Sequence, residues 1–332
     1  MKMSKNIYFH RTDDDRRRTG DITSFMYEFM ENVQIARLLN RCIVLPDVLF
    51  SPQGVFLDLG ELSGVVPTLA LEKFHELATK SPPVLFYNQD QNNICDHVCN
   101  SELDTLCGKL RVGPIVGIDT YGLFVANALT TSRMRHLSEN ENWIVVNNEK
   151  LQHPNWHRES RFEYSKIRVA CVYAERLRLR ADAYSETHRL HERATLLVHW
   201  DHDETDNGAI PCTPSKIFGN VMRMTRGDND GGTLFTHVFL VCKNVAVDDQ
   251  KTLRVMLMEH DMVALQYERN DEELYCNQSE VMVQQLIGAR CFFQFHNFVS
   301  FDSISSFGRW IIEERRRYHP HGNEKQHVRF VV

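Results

Sequence analysis

Residues 25–46 of the chain read FMYEFMENVQIARLLNRCIVLP. Apolar side chains recur at helical spacing over residues 25–36, and the pattern stops at Asn40 and Arg41. The apolar run 42–45 follows directly, while a shorter apolar run occupies residues 7–9. Strand, helix and buried strand in this order predict a parallel sheet, and therefore an α/β fold.

The second half of the chain repeats this alternation. One long helical pattern covers residues 166–194, without glycine or proline to interrupt it, and leads into an apolar run at 196–199. Further strands are predicted at 84–86, 143–146, 237–242 and 262–265, and helices at 280–289 and 305–317, the last capped by Ser303 or Ser305. We therefore predict two Rossmann-like domains facing each other across a cleft, with residues 1–165 in the first and 166–332 in the second.

Composition narrows the class of protein. The chain has 332 residues, of which 42% are hydrophobic and 25% are charged, so a folded core is expected rather than intrinsic disorder. Its net charge of −6 argues against nucleic-acid binding through bulk charge. No apolar run approaches the ~18 residues of a membrane span.

The cysteines and the first residues bear on the cellular compartment. The nine cysteines are odd in number and scattered, several of them within apolar runs, which is typical of buried free thiols. The first residues carry no apolar stretch of the kind that a secretory signal needs. Together these features predict a reducing compartment, either the cytoplasm or an organelle matrix.

Four stretches resemble, in the same order, those of one enzyme family. Residues 36–46, ARLLNRCIVLP, are similar to the A-K-x-L-N-R-T-L-x-x-P run of the GDP-fucose protein O-fucosyltransferases, and residues 304–307 resemble their V-S-S-F. His199 follows a long helix as the family's H-x-R motif does, and residues 237–241 resemble the strand that the family ends with T-D. The resemblance spans almost the whole chain. It implies the GT-B fold, with a GDP-fucose site that needs no metal.

The resemblance implies a vestigial donor-binding site. The positions that keep the family's donor-side pattern are Gly20, His199, Ser305, Ser306 and Phe307. In the family's first loop, however, glycine, asparagine and glutamine stand where this chain has residues 23–25, Thr-Ser-Phe. The family's T-D falls on residues 242 and 243, Cys-Lys. The site is therefore expected to have diverged on both sides.

Asp201 stands where the family has the arginine of H-x-R, which grips the departing diphosphate. Losing that charge-assisted hydrogen bond costs about 1.5–3 kcal/mol, and a carboxylate ~4 Å from a phosphate adds up to about 4 kcal/mol of repulsion at an effective dielectric near 20. Together the two effects can exceed a loss of about 10³-fold in affinity. Arg193, Arg223 and Arg226 are the candidates for a replacement cation, and no catalytic residue is assigned.

Other polar clusters have both a functional and a structural interpretation. Residues 199–204, HWDHDE, include an Asp-x-Asp that could hold a divalent ion, but a solvated acidic loop is the favoured interpretation. Cys95, His97, Cys99 and Cys107 offer zinc ligands at a cramped spacing, so a turn with partly buried thiols is favoured there. We predict no metal site.

Two charge runs are open to similar alternatives. Residues 12–18, TDDDRRR, form either a self-neutralising solvated loop or a partner-binding segment. The basic residues 315–319 are expected in the last turn of a helix, where they interact favourably with the helix dipole.

These features predict a fucosyltransferase-like pseudoenzyme that serves as a structural or partner-binding subunit of a larger assembly. One alternative is an active, divergent protein O-fucosyltransferase, and another is a regulator that binds a nucleotide without chemistry. No cofactor is expected, and GDP-fucose is the ligand only if the first alternative holds. We expect protein partners, no membrane span and no nucleic acid bound by bulk charge.

Overall fold

The fold is seen in a computed structural model. The structure describes residues 6–10, 22–38, 42–45, 56–70, 72–73, 76, 84–88, 115–118, 143–147, 160–190, 195–202, 212–226, 235–268, 277–319 and 328–331. The chain divides into two compact units, Met1–Ala174 and Glu175–Val332.

The first unit is built on a parallel sheet. Its described elements are β1 (Asn6–His10), α1 (Ile22–Leu38), β2 (Cys42–Val44), α2 (Leu59–Ser63), β3 (Thr68–Leu69), β4 (Val84–Asn88), β5 (Ile115–Ile118), β6 (Trp143–Asn147) and α3 (Ser160–Ala170). All strand pairs are parallel, in the order β3-β2-β1-β6-β4-β5. The predicted strand–helix–strand unit is confirmed, as are the strands predicted at 84–86 and 143–146.

Helix α1 packs its apolar side on β1 and β2. Phe29, Met30, Val33 and Ala36 on this helix are fully buried, as is Ile43 on β2. Burial of each large side chain contributes about 1.5–3 kcal/mol. The spacing that predicts the helix is therefore also the spacing that attaches it to the sheet.

The second unit is built on another parallel sheet. Its described elements are α4 (Glu175–Thr187), β7 (Thr195–Asp201), α5 (Pro214–Arg226), β8 (His237–Lys243), α6 (Val247–Met258), β9 (Val263–Leu265), α7 (Asn277–Arg290), β10 (Phe293–His296), a 3-10 turn (Phe301–Ser303), α8 (Ser306–Tyr318) and β11 (Val328–Phe330). The strand order is β11-β10-β7-β8-β9.

Strand β7 has different neighbours on its two faces, because side chains alternate along a strand. Leu196, Val198 and Trp200 lie in a core with residues of α5 and α6. Leu197 points the other way, where a Cβ added at Gly288 of α7 would lie 3.3 Å from the Leu197 Cδ2 atom. His199 and Asp201 share this second face of the strand.

The long helix predicted at 166–194 is wrong, because α3 ends at Ala170 and α4 begins at Glu175. Between them Tyr173 is fully buried and forms an antiparallel bridge with Leu57. The backbone N–H of Asp58 donates to the Val172 carbonyl at 2.7 Å, and that of Ala174 to the Phe56 carbonyl at 2.8 Å. These long-range bonds replace helical ones. The predicted domain boundary at 165/166 falls within α3.

The closing helix is confirmed as α8, with Ser305 rather than Ser303 as its N-cap. The Ser305 hydroxyl accepts a hydrogen bond from the backbone N–H of Gly308 at 3.3 Å. Across the described ranges, the helices are all too short or too polar to cross a lipid bilayer.

Candidate functional site

The candidate site lies at the C-terminal edge of the second sheet. Because β7, β8 and β10 are parallel, their C-terminal ends meet at this edge, where α/β proteins commonly bind ligands. The register pairs His199 with His296, and Asp201 with Lys243. Asn297 follows β10 directly. Two resemblance-derived positions, His199 and Asp201, therefore meet two polar residues from neighbouring strands.

Asp201 is fully enclosed by neighbouring residues. It is 0% exposed, and the side chain of Asn297 bonds its backbone on both sides. The Asn297 Oδ1 atom accepts from the Asp201 N–H at 2.8 Å, and the Asn297 Nδ2 atom donates to the Asp201 carbonyl at 2.6 Å. The interpretation of 199–204 as a solvated loop is therefore wrong for residues 199–201, while residues 203 and 204 lie outside the described ranges.

The Asp201 carboxylate faces two residues at the end of β8. The Lys243 Nζ atom lies 3.7 Å from Oδ2, and the Asn244 Nδ2 atom donates to Oδ1 at 3.5 Å. Asn244 adopts a φ of 57°, in the left-handed region that asparagine tolerates better than most residues. This turn places its amide beside the carboxylate.

Lys243 is the basic residue that sequence reasoning missed. Its side chain is 41% exposed, whereas that of Asp201 is 0% exposed. Arg223 bonds instead to Asn220 Oδ1 at 2.5 Å, while Arg193 and the side chain of Arg226 lie outside the described residues. The sequence does contain a signal for Lys243. When the apolar strands β7 and β8 are aligned in parallel register, Asp201 pairs with Lys243.

The two charges are exchanged relative to the family pattern. The resemblance puts an arginine at position 201 and the aspartate of T-D at position 243. Here Asp201 and Lys243 hold these positions, and the structure pairs them. The exchange keeps opposite charges on the neighbouring strands β7 and β8. It also removes the cation from the end of β7, where the family has its arginine.

His199 and His296 form a second, neutral contact beneath this edge. Their Nδ1 atoms are 3.1 Å apart, and both residues are 0% exposed. The His199 ring lies 5.5 Å from the Phe298 ring and 5.1 Å from the Phe307 ring, between centroids. Burial, then the neighbouring His296 and the charge of Lys243, hold the pKa of His199 well below its usual value. Burial lowers the pKa of His296 to about 3.

The turn at the start of α8 lies directly on His199. A Cβ added at Gly308 would lie 2.9 Å from His199 Cε1 and 2.6 Å from Ile304 Cδ1, so only glycine allows this approach. Phe307 and Ser305 are both buried. The structure thus brings His199, Ser305, Ser306 and Phe307 to one place, while Gly20 lies outside the described residues.

The first loop of the resemblance falls on a helix in this chain. Residues 23–25 lie in the first turn of α1, and Thr23 is 0% exposed. Ser24 and Phe25 stand at the positions of the family's loop asparagine and glutamine, and Phe25 is a buried apolar residue. The divergence of the donor site on this side stays a prediction.

Cys95, His97, Cys99, Cys107 and the run 12–18 lie outside the described residues. Within the described part, no group of three or more His, Cys, Asp or Glu side chains is placed to hold a metal ion.

The basic residues 315–317 lie in the last turn of α8, as predicted. Arg315 is 1% exposed, donates to the Phe292 carbonyl at 3.0 Å and covers the Phe292 ring. Arg317 pairs with Glu314 at 3.0 Å. Arg315 thus ties α8 to the start of β10, and the favourable interaction of the run with the helix dipole stays a prediction.

Comparison with known proteins identifies the fold. No protein-family model matches the chain, and no curated protein sequence matches it. POFUT1 in complex with GDP-fucose superposes with a TM-score of 0.60 at 13% identity, covering 100% of this chain and 98% of that one. POFUT1 in complex with GDP gives 0.62 at 12% identity, over 100% and 99% of the two chains.

A second enzyme gives the same result. The α-1,6-fucosyltransferase NodZ crystallised with GDP has a TM-score of 0.55 at 15% identity, over 94% of this chain and 92% of that chain. NodZ from Bradyrhizobium also gives 0.55 at 15% identity, over 94% and 93%. The chain therefore has the α/β fold of the GT-B fucosyltransferases, as its sequence predicts.

Proposed function

We propose that this protein is a fucosyltransferase-like pseudoenzyme that acts as a structural or partner-binding subunit. The observation that carries the proposal is the state of Asp201. It occupies the arginine position of H-x-R, it is fully buried, and Asn297 and Lys243 engage it on three sides. A residue held in this way has no freedom to contact a diphosphate.

Electrostatics supports the same conclusion. A diphosphate site needs cations that are not already neutralised, because it must offset charge that builds up on the leaving group. Here Lys243 lies beside Asp201, and its charge is offset by that carboxylate at 3.7 Å. The pair sums to a charge of about zero, so a diphosphate gains little attraction from it.

The free cysteines support a reducing compartment. Cys42, Cys171, Cys212 and Cys291 are buried free thiols in the described structure, and Cys242 is half-buried. Burial raises the pKa of Cys42 to about 11 and that of Cys291 to about 12. Thiols of this kind are core residues. A location away from oxidising compartments would also separate the protein from secreted acceptor domains.

A nucleotide-binding regulator is the second candidate, and Lys243 is the observation that favours it. Its side chain remains 41% exposed at the sheet edge. A strong anion could draw the ammonium away from Asp201. An active, divergent transferase would use the same lysine. The regulator and the transferase therefore differ only in whether the bound sugar nucleotide is turned over.

The test is a thermal-shift titration with GDP and GDP-fucose, with and without magnesium or manganese, combined with an assay for released GDP. We expect no shift at millimolar ligand and no release. A ligand at 100 times its Kd would add about 2.7 kcal/mol of stability. A shift abolished by Lys243→Met but not by Lys251→Met would select the regulator, since Lys251 is an exposed lysine on α6. GDP release above background would overturn the pseudoenzyme proposal.

A further inference from the structure

A chain of hydrogen bonds runs from α7 to His199 through the buried interior of the second unit. The Gln294 Nε2 atom donates to the Gly288 carbonyl at 3.2 Å, and Gln294 Oε1 lies 3.4 Å from His296 Nε2. His296 Nδ1 in turn lies 3.1 Å from His199 Nδ1. The His199 Nε2 atom at the end is buried and has no hydrogen-bond partner among the residues that the structure describes.

The direction in which protons are donated along this chain of hydrogen bonds follows from its first bond, between Gln294 and the Gly288 carbonyl. A carbonyl can only accept, so the amide nitrogen of Gln294 faces Gly288 and its oxygen faces His296. His296 Nε2 must then donate, which leaves Nδ1 of the neutral ring as an acceptor. His199 Nδ1 therefore carries the proton between the rings, and His199 Nε2 is left with a bare lone pair.

The bare nitrogen is the only place where this pair can take up a proton without breaking the chain. The imidazolium formed there would lie near the Phe298 and Phe307 rings, without a described hydrogen-bond acceptor. Protonating His296 Nδ1 would instead break the bond from His199. Protonation at either nitrogen would place a positive charge on a ring that is buried away from water.

We propose that the His199–His296 pair is an acid-sensitive latch, which holds residues 305–308 against β7 while both rings are neutral and releases them on protonation. The turn depends on this contact, because the Phe307 ring lies 5.1 Å from the His199 ring between centroids, and a Cβ added at Gly308 would lie 2.9 Å from the His199 Cε1 atom. The latch is independent of whether the protein binds a nucleotide. It would make the closing helix of the fold responsive to pH.

The groups around His199 oppose its protonation. His296 on β10 and Lys243 on β8 both act against a charge on the ring. Asp201 lies two residues along β7 and is paired with Lys243. The first turn of α8 contributes Ser306, Phe307 and Gly308, and then Arg309, whose guanidinium covers the Phe301 ring 5.3 Å away.

The direction of the pH effect follows from proton linkage. Both rings have a lowered pKa in the closed state and the ordinary value near 6.5 once released. Above about pH 6.5 neither state binds a proton, so the latch is at full strength. Below that pH only the released state gains a proton, and the ratio of closed to released forms falls about tenfold per pH unit for each histidine.

The experiment uses the full chain with 15N-labelled histidine. At pH 7.5 we expect long-range 1H–15N spectra to show His199 protonated at Nδ1 alone and His296 at Nε2 alone. Amide hydrogen exchange over residues 305–308, corrected for intrinsic rates, should show the turn opening about 270-fold more often at pH 5.0 than at pH 6.5, because both histidines take up a proton in the released state. A proton on His199 Nε2 at pH 7.5 would overturn the proposal.

A matched pair of variants separates the latch from general acid sensitivity. In His199→Asn the amide nitrogen takes the place of Nδ1 but does not titrate. Opening of the turn should therefore lose the tenfold increase per pH unit that His199 contributes. In His260→Asn an exposed histidine two residues beyond the end of α6 is replaced, and the pH dependence should match that of the unaltered protein. Equal pH dependence in all three proteins would also overturn the latch. If His199→Asn does not fold, the spectra of the unaltered protein decide.

Discussion

Reversing the charge at Asp201 should destabilise the second unit without creating an active enzyme. In Asp201→Arg, a longer cationic side chain enters a position that is 0% exposed, and Lys243 becomes a like-charged neighbour 3.7 Å from the former carboxylate. Breaking a buried ion pair by removing one partner costs about 3–5 kcal/mol. Because the Lys243 side chain is 41% exposed and water offsets part of that cost, we expect a loss near the lower end of this range, and no transfer of fucose.

The loss can be measured by urea unfolding followed by tryptophan fluorescence, because Trp200 and Trp310 are both fully buried in this unit. Asp201→Asn keeps the size of the side chain and should lose about 1–3 kcal/mol. The exposed pair of Asp248 and Lys251 supplies the control, since its side chains are 95% and 71% exposed. Asp248→Arg should change stability by less than about 0.5 kcal/mol.

A double variant tests whether the two charges act as a unit. Adding Lys243→Asp to Asp201→Arg restores the charge order of the family pattern, so part of the lost stability should return. Couplings between contacting residues are about 0.5–3 kcal/mol. An Asp201→Arg protein as stable as the original would refute the reasoning from burial. Robust fucosyl transfer by that single variant would refute the idea that the whole donor site has decayed.

Three further predictions concern the turn at α8 and the thiols. Gly308→Ala should lower the free energy of unfolding in urea by about 1–3 kcal/mol, because the new Cβ would lie 2.6 Å from the nearest side-chain atom. Its control is Gly219→Ala on α5, where the new Cβ has open space and the change should be neutral or stabilising. Ser305→Ala removes the N-cap bond to the Gly308 N–H and should lower the free energy of unfolding by about 1 kcal/mol; an unchanged value would show that the cap contributes nothing. Burial raises the pKa of both Cys242 and Cys291 to about 12, so at pH 8 they should resist alkylation in native protein and react in urea, as mass spectrometry of the labelled peptides would show.

The sequence by itself determined the parallel α/β architecture. The apolar runs and the helical spacing around residues 25–46 are local patterns, and each element buries the face that its own periodicity predicts. The closing helix could likewise be predicted, with Ser303 or Ser305 as its cap, and the structure selects Ser305, whose hydroxyl accepts from the Gly308 N–H. The resemblance to fucosyltransferases rested on such stretches, and the structural comparisons bear out the fold that it implied.

Only the tertiary structure decided what the polar residues do. The break between α3 and α4 depends on Tyr173 pairing with Leu57, a partner more than a hundred residues away in the sequence, and no local pattern predicts it. Asp201 looked like a solvated acid until β8 and Asn297 enclosed it, and His199 became a neutral ring only beside His296. Burial and charge pairing are properties of the packed state, because the dielectric and the neighbours that set them come from distant parts of the chain.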